Sequence, residues 1–163
     1  MLDVKLRNAL KQPVILIGGL PRSGTTLCER LFGSHPEIRI FDESPLSSMP
    51  SLLAEQQAFY GPAIESWRNL TECELKWRQA TLIAELWMLG SDPKKLTNDR
   101  FLYVGQKTPG VEEDLPFYQR YFPCGLILIY CVRHPVRVLR SMLAMPWNTG
   151  VPAAQLIDYI LTR

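Results

Sequence analysis

The sequence predicts an α/β fold: a three-layer sandwich with a central parallel sheet and helices on both faces. Two observations predict it. First, short apolar runs at Val14–Ile17, Ile38–Phe41, Phe101–Gly105 and Leu126–Val132 alternate with segments of helical spacing. Strands separated by helices build parallel sheets covered on both sides. Second, the first run leads through Gly18-Gly19-Leu20-Pro21-Arg22-Ser23-Gly24-Thr25-Thr26-Leu27 directly into helix-forming sequence. A strand, a Gly-rich turn and a helix N-terminus in that order aim backbone N–H groups and the positive end of the helix dipole at one anion. The loop is P-loop-like, with Gly19 and Gly24 at the P-loop separation and Thr25-Thr26 after them. It departs at Thr25, which stands where a P-loop ATPase has its lysine. The cation is Arg22, inside the loop.

Each element follows from local pattern. Val14–Ile17 is apolar without alternation, as a fully buried strand is. The helix from Thr25 to Ser34 stops at His35-Pro36, because a residue before proline is pushed out of the α region. Ile38-Arg39-Ile40-Phe41 is a second strand, closing at Asp42-Glu43-Ser44-Pro45, and a Pro- and Ser-rich connection runs on towards Ser51. Leu52 to Tyr60 and Glu65 to Leu89 have helical spacing. In the second of these, Trp67, Leu70, Leu75, Trp77, Leu82, Leu86 and Leu89 form a stripe expected to face the core. Gly90-Ser91-Asp92-Pro93 breaks the helix.

Phe101–Gly105 reads as a strand ending in Lys107-Thr108-Pro109-Gly110, Glu112 to Tyr121 as a short helix, and Leu126–Val132 as a strand closed by Arg133-His134-Pro135. Val136 to Met145 and Val151 to Leu161 read as the last helices. Ligands of such sheets sit beyond the carboxyl ends of the strands. Arg22, Glu43, Lys107 and Arg133 all follow predicted strand ends.

Length and composition narrow the function classes. A chain of 163 residues is expected to form one domain, residues 1–163, and to bury most of its apolar surface. With 18 basic and 16 acidic residues the formal net charge is +2, which gives no argument for nucleic acid or an anionic membrane surface as partner. No apolar run approaches the roughly 18 residues of a membrane span. Asp3, Lys5, Arg7 and Lys11 break up the first residues, so a signal-peptide core is missing. A cytoplasmic location is expected, or the Golgi lumen if an anchor precedes this sequence. Cys28, Cys73, Cys124 and Cys131 form no CxxC pair and are expected to be buried, reduced thiols. His35 reads as a helix-end residue and His134 as a structural neighbour of Arg133. Neither has a metal-like partner, so no metal is expected. Arg137 and Arg140 read as an exposed helix face.

A loop that holds phosphate with arginine and backbone alone suits a ligand whose phosphate stays put while an attached group reacts. Two separated motifs carry a resemblance on this point. Pro21-Arg22-Ser23-Gly24-Thr25-Thr26-Leu27 resembles the 5′-phosphosulfate loop of the sulfotransferase superfamily, whose donor is 3′-phosphoadenosine 5′-phosphosulfate (PAPS). Val132-Arg133-His134-Pro135 with Ser141 resembles that family's 3′-phosphate site. Arginine at a strand end offers a planar fork of donors, and Ser141, about two helical turns on, adds a hydroxyl.

The branch most resembled is the tyrosylprotein and bacterial one, because Ser34-His35-Pro36-Glu37-Ile38-Arg39-Ile40-Phe41-Asp42-Glu43-Ser44 matches its segment after the first helix. Glu43 falls on the catalytic glutamate, and Lys107 on the lysine that assists the bridging oxygen. Cytosolic small-molecule enzymes of the superfamily carry a histidine where this chain reads Gln106-Lys107-Thr108-Pro109. The resemblance implies in-line transfer of a sulfuryl group to a hydroxyl or amine, without metal, with Glu43 as general base and Arg22 and Lys107 neutralising the departing oxygens. It further implies that Ser23, Gly24, Thr25, Thr26 and Leu27 cradle the 5′ end of the donor, while Arg133 and Ser141 read its 3′-phosphate. The acceptor class it implies is a hydroxyl on peptide tyrosine, a carbohydrate or a small molecule, its specificity lying between Pro50 and Asp99.

Blander readings stay open beside these. Asp42-Glu43 also fits a solvated turn or a capping pair, and Lys107-Thr108-Pro109 an ordinary turn. A nucleotide kinase with an aberrant loop is the alternative reaction. Because members of the superfamily usually run well past the 3′-phosphate helix, a shortened, non-catalytic nucleotide- or protein-binding remnant is the alternative role. In that case self-association through an uncovered strand edge or apolar patch is expected.

Overall fold

The computed structural model describes residues 2–43, 71–89 and 101–163. The expected helix over Leu52–Tyr60, the first residues of the Glu65–Leu89 helix with Trp67 and Leu70, and the break at Gly90–Pro93 lie outside these residues. In chain order the elements are α1 (Leu2–Ala9), β1 (Val14–Gly19), α2 (Thr25–Gly33), β2 (Ile38–Phe41), α3 (Glu72–Leu89), β3 (Tyr103–Lys107), α4 (Leu115–Tyr121), β4 (Leu126–Cys131), α5 (Pro135–Leu143) and α6 (Ala153–Leu161). Single 3₁₀ turns at Val111–Asp114 and Pro146–Asn148 join some of them.

The four strands form one sheet in the order β2-β3-β1-β4. Every pairing is parallel: β1 with β3, β1 with β4, and β2 with β3. All four carboxyl ends therefore lie along one edge. The strand period of two divides each strand between the faces. Val14, Leu16, Phe41 and Val104 pack with Leu6 and Ala9 of α1 and Leu10 just after it, with Ala80, Ile83, Ala84, Trp87 and Met88 of α3, and with Tyr118 and Tyr121 of α4. Ile15, Ile17 and Ile40 pack on the other face, against Cys28 and Phe32 of α2. The expected α/β sandwich is thus present. A third cluster, of Val138, Met142, Leu156 and Ile160, joins α5 to α6 beside Leu20 of the loop.

Four expectations change. The N-terminal residues form α1, whose Leu6 and Ala9 are buried together with Leu10 in the turn that follows. β3 runs two residues further than expected, so Lys107 closes a strand instead of opening a turn. Two polar residues inside a strand are tolerable there because each finds a partner from outside it: Tyr118 donates its hydroxyl to Gln106 Oε1 at 3.1 Å, and Lys107 meets carboxylates. On α3, Leu75 is buried as expected but Leu82 is 45% exposed. The core face is completed by Ala80, Ile83, Ala84, Trp87 and Met88. Finally, β4 is not covered on both faces among the described residues: Ile127, Leu128 and Tyr130 are all exposed.

Candidate functional site

The turn from β1 into α2 uses three residues of positive φ. Gly19 has φ 124° and Gly24 φ 116°, and a Cβ on Gly19 would strike the carbonyl oxygen of Cys131 across the sheet. The third is Arg22, with φ 71°, a left-handed conformation that costs a residue with a Cβ about 1–2 kcal/mol. The backbone N–H of Ser23 donates to Leu20 O at 3.0 Å and closes the turn. Gly24, the N-cap of α2, supplies no side-chain acceptor to the first-turn N–H groups.

Ser23 is buried and its Oγ has no hydrogen-bond partner; the same holds for Thr108 Oγ1. Thr108 sits beside the loop, its N–H bonded to Ile17 O. Buried hydroxyls without partners are costly unless a ligand completes them. An uncapped helix start, orphaned hydroxyls and an arginine in the loop fit a phosphate or phosphosulfate group. Thr25 is buried, whereas Thr26 and Leu27 are exposed.

Two groups of expected residues come together. At the ends of β2 and β3, Lys107 Nζ lies 2.7 Å from Glu43 Oε1 and 2.7 Å from Asp42 Oδ1. The lysine side chain is 4% exposed and that of Glu43 55%. Burial by itself would depress the Lys107 pKa. The hydrogen bonds and charges of the two carboxylates outweigh it, so the pKa stands above its ordinary value. Asp42 thus belongs to this cluster as a second carboxylate. At the ends of β1 and β4, Arg22 Nε donates to Ser141 Oγ at 3.0 Å and an Arg133 N–H donates to Arg22 O at 3.0 Å. Residues 119 apart in the chain are brought into contact there.

Arg137 and Arg140 are exposed, as expected. His134 caps α5, its Nδ1 accepting from Val136 N, and His35 Nδ1 accepts from Glu37 N. Among the described residues no group of three or more His, Cys, Asp or Glu is arranged to hold a metal.

Glu112 is the residue that sequence reasoning missed. Its Oε2 accepts the Gly19 N–H at 3.1 Å, which ties the start of the Gly-rich loop to the turn after β3. It was read only as the first residue of a helix, and its partner lies 93 residues away, so no local signal marks it. Two cavities flank the loop. One of about 350 Å³ runs between α2 and β2 from Thr26 to Asp42, past Glu29, Arg30 and Arg39. The other, of about 310 Å³, is lined by Pro21, Arg22, Met142, Trp147, Leu156 and Tyr159.

A model described as the sulfotransferase family matches residues 13–158. The chain is 29% identical over 130 residues to protein-tyrosine sulfotransferase 2 of Gallus gallus, covering 77% of this chain and 33% of that protein. It is 28% identical over 136 residues to protein-tyrosine sulfotransferase 1 of Rattus norvegicus, covering 78% and 34%. To protein-tyrosine sulfotransferase 1 of Homo sapiens it is 29% identical over 121 residues, covering 72% and 30%. The chain therefore spans about a third of the length of the curated relatives it matches. The crystal structure of TT1252 from Thermus thermophilus aligns with a TM-score of 0.47 at 15% identity, over 93% of this chain and 81% of that one.

Proposed function

The chain belongs to the sulfotransferase family, and on that premise we propose that it moves a sulfuryl group from PAPS to a hydroxyl acceptor with Glu43 as general base. The observation that carries the proposal is the contact of Arg22 with Ser141 and Arg133. It joins the loop suited to a 5′-phosphosulfate to the pair suited to a 3′-phosphate at one strand edge, as a nucleotide with both groups requires.

PAPS supplies the sulfuryl group and leaves as the 3′,5′-bisphosphate. The residues of this chain have the remaining tasks. Backbone N–H groups from Gly24 to Thr26 and the Ser23 hydroxyl hold the 5′ end, and Arg22 sets a positive charge beside the oxygen that becomes negative. Glu43 takes the acceptor hydroxyl proton. One of its oxygens is engaged with Lys107 and a carboxylate has a second. Lys107 holds Glu43 in place through their ion pair, and as an ammonium it also steadies charge on the bridging oxygen. Arg133 and Ser141 select donors that carry a 3′-phosphate. The relatives are named as protein-tyrosine sulfotransferases, which favours a phenolic hydroxyl on a peptide as the first acceptor to try.

Calorimetric titration of the chain with adenosine 3′,5′-bisphosphate, AMP and magnesium-ATP tests the proposal. Binding of the bisphosphate well above AMP is expected. Preference for magnesium-ATP would replace it with a kinase, and indifference to all three would leave a fold without the donor site.

A further inference from the structure

Two thiols meet where the last strand of the sheet ends against the helix that follows the anion loop. Cys28 lies in the first turns of α2. Cys131 is the last residue of β4 and pairs in register with Gly19. Both are half-buried, both pack on the cluster of Ile15, Ile17 and Ile40, and they are near enough for the Cys131 side chain to act on the Cys28 thiol. Neither is oxidised in this structure. Cys73 is exposed on α3, and Cys124 sits in the turn before β4.

We propose that Cys28 and Cys131 form a modification site, a dithiol that closes to a disulfide when a small-molecule disulfide such as oxidised glutathione reaches it. The thiolate of Cys131 attacks one sulfur of the oxidant, whose S–S bond breaks to release one glutathione thiol. Cys28 then attacks the Cys131 sulfur of the mixed disulfide and releases the second. Both protein thiols lose a proton, two electrons pass to the oxidant, and one protein S–S bond forms.

The order of attack follows from the site. Burial first, and then the charge and hydrogen bond of Cys131, push the Cys28 pKa up to about 11. Cys28 is therefore a poor first nucleophile, because the thiolate is the attacking species. Its own step is intramolecular, and the contact already in place offsets its small thiolate fraction. The bond would staple α2 to β4 on either side of the anion loop and close a loop through most of the domain, the case in which a cross-link constrains the unfolded chain most.

The test is oxidation of the full chain with glutathione disulfide at mildly alkaline pH, followed by thermal melts and mass spectrometry of unreduced peptides cut with trypsin and chymotrypsin, which separates Cys124 from Cys131 where trypsin alone leaves both on Tyr121–Arg133. The expected product joins the Cys28 and Cys131 peptides and raises Tm by several degrees, reversibly with dithiothreitol. Cys28→Ser should stop at glutathione on Cys131 with no rise in Tm. Should that variant fold poorly, Cys131→Ser should leave Cys28 unmodified. A Cys73→Ser/Cys124→Ser double variant should still cross-link. Stable glutathione on Cys131 of the parent chain, cross-links through Cys73 or Cys124, or an unchanged Tm in the linked protein would each overturn the proposal.

Discussion

At the β2–β3 end of the site a lysine is buried and held between two carboxylates. At the β1–β4 end two exposed arginines bond to a hydroxyl and a carbonyl. Both ends present basic residues at strand termini, and the sequence makes them look alike. Their electrostatics differ. The Lys107 cluster has one positive and two negative charges, so most of the lysine's charge is already met by carboxylates, and its main task is to hold Glu43 beside the acceptor's proton. Among the described residues the Arg22–Arg133 end bonds to neutral oxygens, which leaves its positive charge available to phosphate. Turnover should therefore depend on the first end and donor affinity on the second.

The largest effect that could break this division is on chemistry. Glu43→Gln should lower sulfuryl transfer by about 10²–10⁴-fold while calorimetry shows bisphosphate affinity nearly unchanged. A variant that transfers normally would remove Glu43 from the mechanism.

Lys107→Ala comes next. It leaves Asp42 and Glu43 side by side without their cation and should cost about 2–3 kcal/mol in urea unfolding at neutral pH, below the full cost of a broken buried pair because the carboxylates are half-exposed. The sign of the pH effect follows from the raised pKa. Lys107 binds its proton more tightly folded than unfolded, so its contribution is complete at neutral pH and is lost as pH climbs through and past its ordinary 10.5. The parent chain should lose stability in that alkaline range, and the variant should not show this component.

On the arginine side, Arg133→Ala should weaken adenosine 3′,5′-bisphosphate by roughly 30-fold, since losing a charged contact of this kind costs about 2 kcal/mol. AMP should hardly notice. Equal losses for both nucleotides would mean that Arg133 supports the loop through Arg22 O instead of reading the 3′-phosphate.

Smaller still is Glu112→Ala, expected to weaken the bisphosphate by about tenfold through loss of a charge-assisted hydrogen bond and to speed hydrogen exchange at the Gly19 amide. Glu112→Gln retains the acceptor oxygen and should restore both. The smallest effect, about 0.5–1 kcal/mol in thermal melts, is expected for His134→Ala through the lost cap of α5, with donor affinity little changed.

The difference between the two ends also marks what could be read in advance. β1, the loop, α2, β2 and β4 are legible because each rests on short-range pattern: an apolar run, glycines at fixed spacing, a proline after a helix. The candidate residues were found because motifs place them at strand ends. The helix α1 was missed although Leu6, Ala9 and Leu10 have helical spacing, because its scattered charges were weighed only against a signal peptide. β3 was cut short because Gln106 and Lys107 are polar, and only Tyr118, Asp42 and Glu43, brought from elsewhere in the chain, make a buried glutamine and lysine tolerable.

By itself the sequence determined the α/β class, the Gly-rich loop with arginine in place of lysine, and the set of polar residues beyond the strands. These depend on backbone conformation and side-chain chemistry within a few residues of one another. The tertiary structure alone decided that, among the described residues, Lys107 meets two carboxylates while Arg22 and Arg133 meet neutral oxygens, that Glu112 accepts the Gly19 N–H, and that Cys28 and Cys131 pack on one cluster. Each of these rests on partners that are distant in the chain, and burial makes the presence or absence of a partner energetically decisive.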